Sequence, residues 1–465
     1  MHFRARSTCD ADDNDLHSIS LLRTALTLFT MLFVGCASTT PDPPQLDRAQ
    51  LEDPQKCATC HPNQFREWSG SMHAYAGDDP IFRAMNARFV REGGSSDVCV
   101  RCHAPVALQD GATKDGTNLA LVAQAQRGVT CFFCHTTSAV TGDHDAQLTS
   151  GKDLALRGPI ASPVGGSGHG SVYASLFDLE KTESAGFCGG CHDVQNGHGV
   201  DIERTFAEWR SSVYAKDDAK VRVTCSGCHM PGRVDRAAAV DGAPQRRIHD
   251  HSMAAVDVAT TPFPDAEAQR RAVQTNLDAS IVAKLCVDPP QGPPNVTVTL
   301  DNAFVGHGFP SGAAHDRRVW VEVLAYAGGA EVFRSGVVGD GQSVTSLADP
   351  NLWLLREQLF DDAKAPVSFM WDARSQTTQQ LPPAVTADKT DPAYFHAVAK
   401  TFDVPPAADR VTVRVRVVAI GLDVLDELVK SGDLDPAIRA KMPTFTLTGS
   451  VLEWKKADGG YRCVP

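Results

Sequence analysis

Cys57-Ala-Thr-Cys60-His61 opens a series of five Cys-x-x-Cys-His stretches that decides how the first half of the chain folds. The others are Cys99-Val-Arg-Cys102-His103, Cys131-Phe-Phe-Cys134-His135, Cys188-Gly-Gly-Cys191-His192 and Cys225-Ser-Gly-Cys228-His229. This is the spacing of covalent haem c attachment. Two thiols add across the vinyl groups of one porphyrin, and the next histidine ligates the iron from one face. Zinc knuckles and disulfides are the competing readings, but zinc sites pair two half-sites and need no histidine directly after the second cysteine. Five intact copies predict five haem c groups, with His61, His103, His135, His192 and His229 as iron ligands.

Covalent haem attachment takes place outside the cytoplasm, so an export signal is expected. Leu21 to Gly35 (LLRTALTLFTMLFVG) is an apolar run of signal-peptide length, too short for a permanent span. It ends in Phe33-Val34-Gly35-Cys36, which resembles a bacterial lipobox, so Cys36 is predicted to become the acylated first residue of the mature chain. Cleavage near Ala37 by ordinary signal peptidase is the alternative. Ala37 stands where an inner-membrane retention signal would place Asp, which points to an outer-membrane anchor on the periplasmic or cell-surface face. Residues 1–35 therefore read as a lipoprotein signal peptide and residues 36–55 as a Pro/Asp-rich tether. A formal net charge of −12 argues against nucleic acid or anionic lipid surfaces as partners.

The motifs fill residues 57 to 229, so one porphyrin serves about 35 residues. Such a segment cannot build a core from side chains alone, and short helices joined by long loops are expected over residues 56–262. One such loop is Gly158 to Gly170. Phe65, Trp68 and Met72 fall at i, i+3 and i+7, which predicts a helix over Gln64 to Tyr75; a second is predicted over Ile202 to Ala215. The two form an internal repeat, Phe65-x-Glu67-Trp68-x-x-Ser71-x-His73-Ala74 against Phe206-x-Glu208-Trp209-x-x-Ser212-x-Tyr214-Ala215. Tyrosine is a rare iron ligand, so Tyr214 is read as a packing group.

Residues 263–465 change character. A short helix, Ala266 to Gln274, precedes strand-like runs at Ile281–Val287, Val296–Leu300, Val319–Leu324 and Val411–Val418. The alternation of Val411-Thr-Val-Arg-Val-Arg-Val is that of a half-buried antiparallel strand, and Gly/Asp/Pro clusters separate the runs. The expected fold class is α+β: a mostly α or irregular pentahaem domain followed by a C-terminal β-sandwich-like domain. Ten cysteines belong to the motifs and two to the targeting segment, leaving Cys286 and Cys463 as a candidate disulfide in an oxidising compartment.

The chemistry depends on what sits opposite each motif histidine. A second imidazole saturates the iron and leaves it able only to pass electrons, whereas an open position admits a small ligand. Nine histidines lie outside the motifs and the targeting segment, enough to saturate five irons. His73 is the strongest candidate, beside the apolar stripe of its helix. His169 lies in a Gly-rich loop, His251 with His249 just past the fifth motif, and His307 in Gly306-His-Gly-Phe-Pro-Ser-Gly. His144, His198, His315 and His396 rank below them.

At the level of these motifs the chain resembles the multihaem cytochrome c-552/4 family, the cytochrome c-554-like proteins. The matching stretches are CATCHPNQFREWSGSMHAYA, RGVTCFFCHTT, AGFCGGCHD, and TFAEWRSSVYA running into VTCSGCHMP. HDHSMAAVD and GHGFPSGAAHDRRVWVEV resemble two further family segments. The resemblance covers most of residues 55 to 260 and continues more weakly beyond. It implies periplasmic or outer-surface electron transfer through closely packed haems, with His73, His169, His251 and His307 as distal ligands by matching position.

Three classes of function follow. The first is an electron conduit without catalysis, exchanging electrons with cytochromes and with quinol-linked or outer-membrane electron-transfer complexes. The second is a multihaem oxidoreductase acting on a small nitrogen or sulfur compound at one open haem. No Cys-x-x-Cys-Lys site is present and no acid/base cluster stands out, so no catalytic residue is assigned. The third is a binding module that uses the β-domain to capture a partner. The conduit is the preferred expectation.

Overall fold

Each motif sits wholly or in part on a helix of one or two turns, and two of these helices start at a side-chain cap. Asp53 accepts the N–H of Gln55 and starts Pro54–Ala58, while Thr130 accepts that of Phe133 and starts Cys131–Thr136. Val100–His103, Glu183–Gly189 and Cys225–His229 carry the other motifs wholly or in part. The computed structural model describes residues 45–94, 97–162, 168–216, 220–287, 295–394, 396–458 and 463–464. The predicted signal segment, Cys36 and part of the 158–170 loop lie outside these residues. Among the described residues no helix is long and apolar enough to cross a membrane.

Side-chain cores in the motif region are small. Phe82, Val100, Ala104, Ala107, Leu119 and Val122 form one cluster, and Leu51, Val106, Phe132 and Phe133 another. The helix expected over Gln64 to Tyr75 is in fact two, Pro62–Ser69 and Met72–Tyr75. The chain leaves the first at Gly70, and the Ser71 hydroxyl caps the second by accepting the N–H of Ala74 at 3.3 Å. The second repeat breaks at the same place. Thr205–Ser211 is helical, Ser212 caps the 3₁₀ turn Val213–Ala215, and the predicted helical start instead belongs to the strand Asp201–Glu203. In both copies a serine competes for the backbone and wins over the apolar period.

The helix Ala266–Asp278 runs four residues beyond its expected end, and the strands follow. One antiparallel sheet has the order Ala397–Asp403, Asn295–Asp301, Val282–Val287, Cys463–Val464. A second has Ala330–Ser335, Arg318–Ala327, Arg410–Val418, Thr444–Thr446, with Trp353–Leu355 and Leu452–Lys455 pairing its two long strands. Val411, Val413, Val415 and Val417 point inward, as the alternation requires, and share one core with Leu285, Val296, Val298 and Leu300 of the first sheet. Arg414 and Arg416 take the other face, where Glu322 receives both at 2.6 and 3.5 Å. Cys286 and Cys463 are register partners joined by a disulfide. The fold is thus a mixed α+β one, and residues from Pro43 onward form one unit.

Candidate haem-binding site

Four of the five motif histidines each face a second imidazole. His61 and His169 have ring centroids 6.1 Å apart, His73 and His192 6.2 Å, His135 and His251 6.4 Å, and His229 and His307 6.5 Å. Two imidazoles on opposite faces of one metal, with metal–nitrogen bonds of about 2 Å and about 1.1 Å from nitrogen to ring centre, have centroids about 6.2 Å apart. The spacing leaves room for one metal between the two rings of each pair, so the side chains present fit a haem.

The second ring nitrogen is engaged on most of them. His61 Nδ1 lies 2.7 Å from the Ala237 carbonyl, His135 Nδ1 2.5 Å from Arg157 O, His229 Nδ1 3.0 Å from Ala254 O and His192 Nδ1 3.3 Å from Glu203. On the opposite side, His251 Nδ1 meets His249 O at 2.9 Å, His307 Nδ1 meets Gly308 O at 2.9 Å and His169 Nδ1 meets Gly170 O at 3.2 Å. Such bonds fix the tautomer and leave Nε2 for a metal. Burial and the neighbouring imidazoles of His192, His103 and His229 hold His73 down at about 3; burial first holds His251 and His307 at about 4. These rings are neutral at physiological pH, the state in which imidazole ligates. His192 differs: against the pull of burial, the hydrogen bond and charge of Glu203 raise its pKa.

His103 stands apart. The ring beside it is Phe82, parallel at 4.1 Å, and among the described residues no second imidazole lies at the spacing of the other four. Its Nδ1 is buried without a partner in good hydrogen-bond geometry, although the backbone of Ala76 lies near.

The repeat is structural as well as sequential. Trp68 Nε1 donates to Val129 O at 2.8 Å and Trp209 Nε1 to Val223 O at 2.9 Å, each valine standing two residues before a motif cysteine. Val129 N donates to His73 O and Val223 N to Tyr214 O, which puts His73 and Tyr214 in equivalent backbone positions. The His73 ring faces His192, whereas the Tyr214 hydroxyl donates to Ala303 O at 2.6 Å. Glu67 accepts the backbone N–H of His251 and Glu208 that of Gly308. Each copy therefore holds, by the same glutamate, the segment carrying the imidazole that faces its docked motif.

The motifs also touch one another. The thiols of Cys57 and Cys131, of Cys102 and Cys191, and of Cys188 and Cys225 are within hydrogen-bond reach, and Cys134 senses the charge of Cys188. Motifs one and three, three and four, four and five, and two and four are thus neighbours. Cys60 and Cys228, in motifs one and five, are exposed.

Of the remaining histidines, His144 Nδ1 bonds Asp143 at 2.9 Å, His249 Nδ1 meets Met230 O at 3.1 Å, His198 is exposed, and His396 lies 2.9 Å from Asp301. The acid/base groups that the sequence left scattered are brought together by folding. Glu203 lies on His192, Glu208 on Gly308 and Ser311, and Asp257 on Arg317 at 2.6 Å. Glu203 and Asp257 are close enough to His103 to act on its charge. The run His315-Asp316-Arg317, buried throughout, was the available signal.

A family model described as "Cytochrome c554 and c-prime" matches residues 56–136, and one described as "NapC/NirT cytochrome c family, N-terminal region" matches residues 162–276. A "Putative tetraheme cytochrome-c type" protein of Allochromatium vinosum is 24% identical over 106 residues, 23% of this chain and 50% of the relative. The chain spans about half the length of that curated relative. The solved structure of a penta-heme cytochrome c552 from Thermochromatium tepidum superposes with a TM-score of 0.61 at 20% identity, over 87% of this chain and 99% of that one, and shares its fold. The duplicated motif-binding helices and the matches to haem cytochromes on both halves of the motif region agree: the chain belongs to the multihaem c-type cytochromes.

Proposed function

We propose that the protein is an electron conduit carrying five haem c groups on the five motifs, four of them with two axial imidazoles. The ligand pairs are His61 with His169, His192 with His73, His135 with His251, and His229 with His307. The observation that carries this reading is the set of four imidazole pairs at 6.1–6.5 Å. Haem c, when bound, supplies a one-electron iron couple. The chain's own residues hold the rings of His73, His251 and His307 neutral, fix the tautomers of seven of the eight paired rings through Nδ1, and would exclude other ligands from the four paired haems. The succession of neighbouring motifs one–three–four–five suits passage of electrons from one haem to the next. The proposed partners are small cytochromes and quinol-linked or outer-membrane complexes. The reading includes a β-sandwich-like C-terminal domain, supported by two sheets sharing one core.

Export and lipidation at Cys36 belong to the same proposal, on the strength of Leu21 to Cys36. Cys36→Ser should release a soluble periplasmic species and abolish incorporation of labelled fatty acid.

The surroundings of His103 favour a second reading, an oxidoreductase acting on a small nitrogen or sulfur compound at one open haem, with Glu203 and Asp257 as nearby proton-carrying groups. Stopped-flow mixing separates the two. The conduit, once reduced, exchanges electrons rapidly with a small cytochrome and shows little turnover with nitrite, hydroxylamine or tetrathionate. Sustained turnover of any of these at about ten per second or more would replace the conduit with the oxidoreductase.

A further inference from the structure

The antiparallel hairpin of Gly232–Arg236 and Gln245–His249 is fastened to the first motif. The carbonyl of Ala237, where the first strand ends, lies 2.7 Å from His61 Nδ1 and accepts from Gln64 Nε2 at 3.3 Å. Ala239 N donates to the Cys60 carbonyl at 2.7 Å. The hairpin also reaches the loop that leads to His169, through Arg246, which donates to Ser162 O at 2.9 Å. One face serves these attachments: Ile248 is buried, and Arg233 pairs with Glu67 at 2.7 Å.

The other face is turned to solvent. Val234 stands opposite Arg247 and Arg236 opposite Gln245, and residues opposite one another in an antiparallel pair share a side. All four are exposed, Val234 by 72%. Among the described residues the Arg236 guanidinium has no ion pair, while Arg247 has the exposed Glu180 at 3.2 Å, a surface pair worth little in water. Over residues 232–249 four arginines face two aspartates, in a chain whose formal net charge is −12. An apolar centre flanked by arginine is the composition of an interface, and a basic island on an acidic molecule orients an incoming acidic one. Cys60, whose carbonyl the hairpin holds, is itself exposed, so motif one meets solvent beside this face.

We propose that the outward face of this hairpin, centred on Val234, Arg236 and Arg247, is the docking surface for an acidic redox protein that exchanges electrons with the haem of motif one. The inference rests on the conduit reading and adds to it the place where a partner docks and the sign of that partner's charge. The exchange moves one electron and no proton, and makes or breaks no bond. An anionic membrane would also attract arginine and valine, but an extended anionic plane is repelled by the chain as a whole, whereas a small partner meets the hairpin alone.

The test is stopped-flow oxidation of the full haem-loaded chain, reduced with dithionite, by an acidic plastocyanin and separately by a basic mitochondrial cytochrome c. The wild-type rate constant with plastocyanin should fall as ionic strength rises from about 10 to about 300 mM. Arg236→Glu combined with Arg247→Glu should lower it by about tenfold or more at low salt and leave the rate with the basic cytochrome undiminished. Arg334→Glu, on the exposed part of the strand Ala330–Ser335, should change neither. An unaltered plastocyanin rate in the double variant, or an equal loss with both proteins, overturns the proposal. Should the double variant fail to fold, Arg236→Glu alone decides it: a loss of about threefold is expected, and an unchanged rate is the contrary outcome. Electron transfer to neither protein from the wild-type chain would overturn the conduit and this surface together, which separates failure of that reading from failure of the surface alone. Sedimentation with vesicles of phosphatidylcholine and phosphatidylglycerol that the double variant abolishes would assign the face to lipid and overturn the proposal.

Discussion

The Glu67 carboxylate accepts the backbone N–H of His251 at 3.1 Å, and 141 positions later in the repeat Glu208 accepts that of Gly308 at 2.9 Å. His251 itself in the first case, and His307 next to the tethered Gly308 in the second, lies against a motif histidine on the element that the neighbouring tryptophan anchors. Removing either carboxylate leaves a backbone donor unpaired and frees the distal segment, at a cost of about 1.5–3 kcal/mol for a charge-assisted bond. Glu67→Ala should raise the high-spin fraction of the haem held by His135, and Glu208→Ala that of the haem held by His229, with Gln variants milder. Magnetic circular dichroism measures both; unchanged spectra in both alanine variants would show that the glutamates do not position these ligands.

His73 and Tyr214 occupy equivalent places but do different work. His73→Ala should turn one low-spin haem high-spin, because the ring facing His192 is lost. Tyr214→Phe should leave the spectrum nearly unchanged and cost about 1 kcal/mol of stability, through loss of the bond to Ala303. A spectral change of equal size in the two variants would refute this division.

The haem held by His103 should be the reactive one. Cyanide is expected to bind one haem per chain, and Phe82→Ala, by removing the ring stacked on His103, should alter that affinity more than any other haem property. Uptake of no cyanide, or of several equivalents, would contradict it.

Glu357 carries a pH signature. Its carboxyl titrates at about 8 in the folded chain against 4.5 ordinarily, so between those values the native state holds a proton that the unfolded state has lost. Stability should therefore fall as pH rises from about 4.5 to about 8 and level off above, by on the order of a few kcal/mol. Glu357→Gln should flatten that slope in guanidinium denaturation at pH 5.5 and 8.5; an undiminished slope would assign it to other groups.

Much of this arrangement is legible in the chain. Cys-x-x-Cys-His states its own chemistry, and the alternation in Val411–Val418 shows which face is buried, because both are local patterns. The four favoured histidines outside the motifs are brought opposite motif imidazoles, yet which meets which is decided by packing across more than a hundred residues, as with His73 and His192. The helix breaks at Gly70 and Ser212 escaped the apolar period, since a serine hydroxyl competing for the backbone leaves no mark on hydrophobic spacing. The gathering of Glu203, Glu208, Glu357 and His315 is wholly tertiary, and separation in sequence hid it.

The most direct measurement is the EPR spectrum of the oxidised, fully loaded protein, with spins quantified against total haem. Four low-spin haems and one high-spin haem per chain are expected, matching four imidazole pairs and the unpaired His103. Five low-spin haems would contradict the assignment of His103 as unpaired, and two or more high-spin ones would contradict the four imidazole pairs on which the conduit rests.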